Sequence, residues 1–196
     1  MRDAKNIREV ECLGIDLMGF ICWKRSPRFV SEVPAYLPQC KRVGVFVNPT
    51  IDYIQRYIEA FGFSYIQLHG SESPEFCQEV REKTKRKIIK AISIDQQTIN
   101  DEWSIYESSC DLLLFDTKCK TTGGSGQQFS WDILSDYRGA LPFLLSGGIG
   151  PNDVERLNKF HHPKCIGFDI NSRFELEPGI KDTEKIRHFC LLLTSP

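Results

Sequence analysis

Polar side chains of the kinds that enzymes use recur in this sequence directly after short apolar runs. They comprise an arginine, a histidine, a serine and two carboxylates: Arg28, His69, Ser146, Asp116 and Asp169, with Asn171 close behind. Carboxyl and imidazole groups transfer protons, and a guanidinium binds carboxylates or phosphates. Any one of them alone would more often cap a helix or satisfy a loop. Their recurrence after successive runs predicts one shared site.

Three turns late in the sequence are suited to an anionic ligand. Gly123-Gly124-Ser125-Gly126 follows Asp116, Gly147-Gly148 follows Ser146, and Asn171-Ser172-Arg173 follows Asp169. Glycine allows backbone N–H groups to approach a phosphate closely. Neither a Gly-Lys-Ser/Thr nor a Gly-x-Gly-x-x-Gly pattern is present, so the nucleotide-binding fingerprints are excluded. Phosphate binding and simple chain reversal remain equally good interpretations of these turns taken alone.

The elements that must position these residues alternate along the chain. Compact apolar runs predict seven strands, at 17–23, 41–47, 65–69, 87–92, 111–116, 142–146 and 165–170. Periodic apolar positions and capping residues predict helices at 3–14, 50–61, from 73 onward, at 96–109, 131–137, 152–160 and 182–193, with a helical turn at 31–37.

Strands that are apolar throughout are typical of a parallel sheet covered by helices on its faces. Two architectures fit the alternation: an open doubly wound sheet and a closed barrel. In a barrel, the residues after each strand line the active site, and the loops after the late strands bind phosphate. We therefore expect the polar residues and the turns to meet at the carboxyl end of the strands.

The composition bounds the class of protein. The 196 residues, 41% of them hydrophobic, predict one domain over 1–196 with a substantial core. A net charge of −1 predicts neither nucleic acid nor a membrane surface as partner. The first residues lack the apolar stretch of a signal peptide, so we expect a cytoplasmic protein.

Eight cysteines are spread along the chain, at 12, 22, 40, 77, 110, 119, 165 and 190. The sequence has no Cys-x-x-Cys pair, which argues against a zinc site. A disulfide framework is typical of smaller, exported chains. We expect reduced thiols that serve as small apolar residues, and no metal.

Several segments together resemble the phosphoribosylanthranilate isomerase family. They are Gly19-Phe20 through Ser26-Pro27-Arg28-Phe29-Val30, Arg42-Val43-Gly44-Val45-Phe46-Val47-Asn48, Gln67-Leu68-His69-Gly70, Phe115-Asp116-Thr117 with Gly123 to Gly126, Ser146-Gly147-Gly148-Ile149, and Asp169-Ile170-Asn171-Ser172-Arg173-Phe174-Glu175 before Pro178-Gly179-Ile180-Lys181-Asp182. The resemblance covers essentially the whole chain, in order. The Gln-Leu-His-Gly segment and the Ser-Arg-Phe-Glu…Pro-Gly-x-Lys-Asp tail are its most specific parts.

The resemblance implies a (β/α)8 TIM barrel and an Amadori rearrangement in tryptophan biosynthesis, without cofactor or metal. It implies that Asp116 is the general acid, that Arg28 meets the carboxylate of the anthranilate, and that His69 and Asp169 line the pocket. The phosphate would be bound by Gly124, Gly126, Gly147, Gly148, Ser172 and Arg173. A carboxyl in an apolar barrel mouth suits acid catalysis, because such surroundings favour its protonated form.

The sequence departs from the family at its first residues. The family begins with a strand ending Lys-Ile/Val-Cys-Gly, followed by a segment like Met1-Arg2-Asp3-Ala4, and that cysteine is the general base. The first β-strand is therefore missing from this chain, and our hypothesis is that Met1 is an internal methionine. Cys22 is the nearest substitute for the base, if it points into the barrel with a low pKa.

Two other functions stay open. One is a barrel that binds a phosphoribosyl ligand without turnover, against which the retained Asp116 argues. The other is a different sugar-phosphate barrel enzyme such as an epimerase, against which the absence of metal-ligating histidines on successive strands argues.

Overall fold

The computed structural model describes residues 1–94, 101–117 and 131–193. Within these ranges the α-helices are α1 (Ala4–Glu11), α2 (Ile51–Phe61), α3 (Pro74–Thr84), α4 (Val154–Lys159) and α5 (Thr183–Leu192). Short 3-10 helices cover Asp101–Tyr106, Trp131–Asp136, Pro151–Asp153 and Ser172–Phe174.

The seven predicted strands are present. They are β1 (Leu17–Ile21), β2 (Lys41–Phe46), β3 (Tyr65–Leu68), β4 (Lys87–Ile94), β5 (Leu112–Thr117), β6 (Phe143–Ser146) and β7 (Cys165–Phe168). The sequence did not predict the small antiparallel hairpin that follows, formed by β8 (Glu175–Glu177) and β9 (Ile180–Lys181).

Three helix predictions need correction, and one of them is the helix predicted at 131–137, which is a 3-10 helix at Trp131–Asp136. Residues 31–37 form bends and irregular backbone instead of a helical turn. Pro34 and Pro38 explain this, because a proline disfavours helical backbone at the residue before it. Of the helix predicted at 96–109, the described part is a 3-10 helix at Asp101–Tyr106 followed by a turn. Residues 96–100 lie outside the described ranges.

The sheet order distinguishes the two architectures. Strands β1 to β7 pair in parallel and in strict chain order. A doubly wound sheet would reverse its order at a switch point, whereas a barrel adds each strand beside the previous one. Within the described ranges, β1 and β7 form the two edges of the sheet.

The two faces of the sheet carry different cores. The larger apolar cluster joins one face to the helices and includes Phe20, Phe46, Phe115 and Ile54 of α2. The smaller cluster consists of strand residues alone: Val43, Ile89, Ala91, Leu112 and Leu114, with Leu17, Val45, Tyr65 and Leu144 beside them. These residues alternate with the helix-facing ones, because successive side chains of a strand point to opposite faces. The strand-only face is the interior of the barrel.

The two ends of the described chain meet at the hairpin. The Asn6 side chain in α1 donates from Nδ2 to the Lys181 carbonyl at 2.8 Å, and the Lys181 N–H donates to Asn6 Oδ1 at 2.7 Å. Both residues are buried. The Asn6 side-chain amide thus satisfies both the N–H and the C=O of Lys181, as the backbone of a neighbouring strand would otherwise do.

The seven described cysteines are free thiols, as predicted, and Cys119 lies outside the described ranges. None of the helices in the described residues has the length and apolar character needed to cross a bilayer.

Candidate active site

A polar layer caps the apolar interior of the barrel at the carboxyl ends of the strands. On β5 the interior positions run Leu112, Leu114, Asp116, so the carboxyl follows two buried leucines. On β3 the same alternation leads from Tyr65 through Gln67 to His69. Every second side chain of a strand points to the same face. The positions that bury the first residues of each strand in the interior therefore also direct its last polar residue into the mouth, which is the carboxyl end of the barrel interior.

His69 and Asp116 are brought together although 47 residues separate them. His69 Nε2 lies 3.4 Å from Asp116 Oδ2, and the two side chains are 34% and 29% exposed. The buried Gln67 amide lies 3.0 Å from His69 Nδ1. With Gln67 donating to Nδ1, the ring carries its proton on Nε2 and donates it to Asp116. The carboxyl is thus held in place yet reachable from solvent.

Asp169 forms the next part of the mouth. Ser146 Oγ donates to Asp169 Oδ2 at 3.0 Å, and Ser146 is the register partner of Asp116 on the adjacent strand. Burial raises the pKa of the Asp169 carboxyl, although the Ser146 bond and the charges of Lys181 and His69 act against the rise. A second carboxyl, whose pKa is raised by burial, therefore lies near the first.

Arg28 lies in the loop that follows β1. Phe29 pairs with Ile21 at the strand end, and the Val30 N–H donates to the Ile21 carbonyl at 2.9 Å, so the loop folds back along β1. Tyr53 of α2 donates its hydroxyl to the Cys22 carbonyl at 3.0 Å. These bonds fix both ends of the loop. The position of Arg28 is therefore well defined, although the residue lies outside the regular sheet.

The Arg28 guanidinium is paired with a carboxylate of the chain itself. Its Nε lies 3.0 and 2.8 Å from the two carboxylate oxygens of Glu175, and Nη2 lies 2.7 Å from Glu175 Oε2. Lys181 Nζ binds the same carboxylate at 3.1 Å. Although desolvation acts to raise it, the pKa of Glu175 is lowered, because Arg28 and Lys181 stabilise the charged form.

The predicted phosphate-binding turns lie in part within the described residues. Gly147 and Gly148, after β6, have φ of 94° and 65°, a backbone region that favours glycine. Ser172 and Arg173, after the neighbouring β7, are exposed in a 3-10 turn. A Cβ added to Gly150 would lie 2.8 Å from Arg173 Cδ, so the two turns are close together. Gly124 and Gly126 lie outside the described residues.

The structure thus gathers Arg28, His69, Asp116, Asp169 and the two described turns at the carboxyl end of the sheet. Two site residues that sequence reasoning did not single out are Glu175 and Lys181. Both stood in the quoted tail motif, but nothing in the sequence indicated that they pair with each other and with Arg28. Among the described residues, no group of three or more His, Cys, Asp and Glu side chains is placed to hold a metal ion.

Cys22 does not have the properties of a substitute base. It is buried in the larger, helix-facing cluster, and its thiol donates to the Phe20 carbonyl at 3.5 Å. Burial raises its pKa well above the usual range. A thiol that keeps its proton is the opposite of the thiolate that base catalysis requires.

Parallel strands in chain order, with a polar layer and phosphate-suited turns at their carboxyl ends, define the class of (β/α)8-like barrel enzymes. A sequence profile of the family described as N-(5'-phosphoribosyl)anthranilate (PRA) isomerase matches residues 1–191. The chain therefore belongs to the phosphoribosylanthranilate isomerase family.

Individual relatives agree with this assignment. The N-(5'-phosphoribosyl)anthranilate isomerase of Parabacteroides distasonis is 43% identical, over all of this chain and 91% of its own length. The crystal structure of phosphoribosyl anthranilate isomerase from Thermotoga maritima is 28% identical with a TM-score of 0.82, over 96% of this chain and 93% of that one.

A third similar protein was solved with a ligand. A phosphoribosyl anthranilate isomerase in complex with reduced 1-(o-carboxyphenylamino)-1-deoxyribulose 5-phosphate is 26% identical with a TM-score of 0.79, over 97% of this chain and 96% of that one. The predicted family, fold class and enzyme class are confirmed by these comparisons.

Proposed function

We propose that this chain catalyses the Amadori rearrangement of N-(5'-phosphoribosyl)anthranilate to 1-(2-carboxyphenylamino)-1-deoxyribulose 5-phosphate in tryptophan biosynthesis. Family membership supports the reaction. One observation supports the residue roles above all: the Asp116 carboxyl lies at the same end of the sheet as Arg28 and the turns after β6 and β7.

Asp116 serves as the general acid. In its protonated form it donates to the ribose ring oxygen, the bond from that oxygen to C1 breaks, and a protonated imine forms between C1 and the anthranilate nitrogen. A base then removes the proton on C2, the electron pair moves toward nitrogen, and the resulting enol becomes the ketone. His69, at 3.4 Å, orients the Asp116 carboxyl throughout.

The remaining residues bind the two charged ends of the substrate. Arg28 meets the anthranilate carboxylate, for which a planar guanidinium is well shaped. Gly147, Gly148, Ser172 and Arg173 surround the phosphate, together with Gly124 and Gly126, whose role rests on the sequence. Asp169 lines the pocket between these ends, where its Ser146 bond holds it beside Asp116.

The proposal extends to the surroundings of the protein. Residues 1–196 act as one domain in the cytoplasm, on a small-molecule substrate, without cofactor, nucleic acid or membrane. The near-neutral net charge of −1 and the free thiols support this setting.

The first experiment tests the acid. We expect Asp116→Asn to lower kcat by roughly 10²–10⁴-fold, because the amide cannot supply the proton. Turnover is followed by the loss of substrate fluorescence. Asp111→Asn is the matched control: Asp111 lies just before the same strand, at the opposite end of the barrel, and accepts from the Ile88 N–H at 2.8 Å. Equal activity of the two variants would refute the role of Asp116.

The base is tested in parallel, since the family resemblance assigns it to a cysteine before residues like Met1-Arg2-Asp3-Ala4. The assay compares residues 1–196 with the same residues preceded by a short segment ending in Cys-Gly. We expect the longer form to turn over faster by roughly 10²–10⁴-fold, the usual contribution of a general base. Binding of the reduced product without turnover in either form would support the non-catalytic phosphoribosyl-binding barrel instead.

A further inference from the structure

The tail motif that carries the family resemblance folds into the β8–β9 hairpin and joins three charged side chains. Glu175 on β8 is the register partner of Lys181 on β9. Their side chains are only 4% and 10% exposed, whereas that of Arg28, which reaches them from the loop after β1, is 23% exposed. Only the arginine therefore opens toward solvent.

Both carboxylate oxygens of Glu175 accept hydrogen bonds from groups of the protein itself. Oε1 accepts from Arg28 Nε, from Lys181 Nζ at 3.1 Å and from the Gly179 N–H at 3.1 Å. Oε2 accepts from Arg28 Nε and Nη2. A carboxylate bound on so many sides is fixed in one orientation, and it fixes the guanidinium in turn.

This pairing is side-on, through the edge of Arg28 formed by Nε and Nη2. A guanidinium has a second, end-on edge formed by Nη1 and Nη2, which also matches the two oxygens of a carboxylate. Among the described residues, the guanidinium of Arg28 pairs with Glu175 through Nε and Nη2, which leaves the end-on edge oriented for a ligand.

Lys181 connects this arrangement to the turn after β7. Its three ammonium protons have three acceptors: Glu175 Oε1, the Asn171 carbonyl at 3.1 Å and Asn171 Oδ1 at 2.6 Å. Asn171 directly precedes Ser172 and Arg173. The Lys181 ammonium group thus connects Arg28, through Glu175, to the turn of Ser172 and Arg173. Under the proposed function Arg28 faces one end of the ligand and this turn faces the other.

The preference for an anion comes from Arg28. Arg28 and Lys181 contribute two positive charges and Glu175 one negative charge, and the Asp169 carboxyl also interacts with Lys181 electrostatically. Lys181 is therefore shared by two carboxyl groups, and the end-on edge of Arg28 is the part of the cluster whose shape matches a further carboxylate.

We propose that Glu175 and Lys181 are positioning residues that present Arg28 to the carboxylate of the ligand and hold it in register with the phosphate-facing turn. The identity of the ligand rests on the proposed function. Neither residue touches the reacting atoms; each acts through Arg28 and Asn171.

The test measures how well the protein recognises the carboxylate, independently of turnover. Two probes are titrated by calorimetry: reduced 1-(o-carboxyphenylamino)-1-deoxyribulose 5-phosphate, and the matching anilino compound without the carboxylate. The ratio of their dissociation constants reports the contribution of that group alone. It is measured for the parent chain and for Glu175→Gln, Lys181→Met, Lys181→Arg and Glu11→Gln.

Glu11→Gln is the matched control. Glu11 also holds a loop through several bonds, from the Tyr36 hydroxyl and from the N–H groups of Gln39 and Cys40, but at the amino end of the barrel. This substitution should lower stability and leave the ratio of dissociation constants unchanged.

We expect the parent chain to prefer the carboxylated probe by roughly tenfold or more, the usual strength of a bidentate charge-assisted pair. Glu175→Gln and Lys181→Met should bring the ratio to within about threefold of unity, and Lys181→Arg should restore most of it. In the turnover assay the same two variants should raise KM more than they lower kcat.

Two outcomes separate the inference from the proposed function. A parent ratio that survives in both Glu175→Gln and Lys181→Met overturns the inference, as does a parent chain that binds both probes equally, even when turnover is normal. A parent chain that prefers the carboxylated probe but never converts the substrate overturns the proposed function alone.

Discussion

Two buried lysine–glutamate pairs lie at the carboxyl end of the barrel, and they differ in what surrounds them. Lys90 and Glu72 are each 2% exposed and lie 2.9 Å apart on the helix-facing side. Lys90 also donates to the carbonyls of Leu68 and Gly70, and Glu72 accepts from the N–H groups of Asn48 and Gly70. This pair is satisfied entirely within the protein.

The pair of Lys181 and Glu175 is different, because its carboxylate is shared with Arg28, a half-buried side chain that reaches the mouth. The same two residue types therefore have different roles. Lys90 and Glu72, the closed pair, hold the turn from His69 to Glu72 rigid. Lys181 and Glu175, the open pair, present the Arg28 cation to solvent. Burial and charge alone do not distinguish a structural pair from a ligand-facing one; the presence of a third charged group that reaches solvent does.

The largest expected effect breaks the closed pair. Lys90→Met leaves the Glu72 carboxylate buried without its cation, which typically costs about 3–5 kcal/mol. We expect the free energy of unfolding, measured by urea denaturation, to fall by that amount. Adding Glu72→Gln to the same chain removes the unpaired charge and should recover part of the loss. A loss below about 1 kcal/mol for Lys90→Met would show that the pair is not closed to solvent.

A smaller effect on stability is expected at Arg28, which pairs with Glu175 of the open pair. Arg28→Lys keeps the charge but loses the planar fork, so KM for the substrate should rise about tenfold. The free energy of unfolding should change by less than about 1 kcal/mol, because the side chain is partly exposed. Steady-state kinetics and urea denaturation of the same preparation check both values. A large loss of stability with an unchanged KM would make Arg28 a structural residue like Lys90.

The smallest effect concerns pH. The pKa of Glu175 lies below its ordinary value, so its contribution to stability is complete above the unfolded-state pKa of about 4.3 and is lost as pH falls through the folded-state pKa. Urea midpoints across the acid range should therefore fall more steeply for the parent chain than for Glu175→Gln. Parallel pH profiles of the two chains would contradict the charged state of Glu175.

The sequence was most informative about the strands and the position of the site. The run Leu112-Leu113-Leu114-Phe115 is buried on both faces, so its apolar character alone marks a central strand that ends at Asp116. The same reasoning placed His69 at a strand end. Elements with weaker patterns were harder to predict: β8 and β9 contain three and two residues, too few to show alternation.

Contacts between distant residues could not be predicted. Arg28 and Glu175 are 147 residues apart, and His69 and Asp116 are 47 apart. Each side chain is individually plausible as a solvent-exposed group or as a helix cap. The β8–β9 hairpin meets the loop after β1 only in the folded sheet, and that geometry is set by the packing of all the helices and strands between them.

The pairing of Asn6 with Lys181 has a consequence for synthesis. The two hydrogen bonds join residues 175 positions apart, so they cannot form until Lys181 has left the ribosome. Until then the Lys181 backbone lacks its hydrogen bonds to the Asn6 amide, and Arg28 lacks its pairing with the Glu175 carboxylate. Strands β1 to β7 all precede the β8–β9 hairpin along the chain, so the nascent protein makes them available before the hairpin that completes the mouth of the barrel.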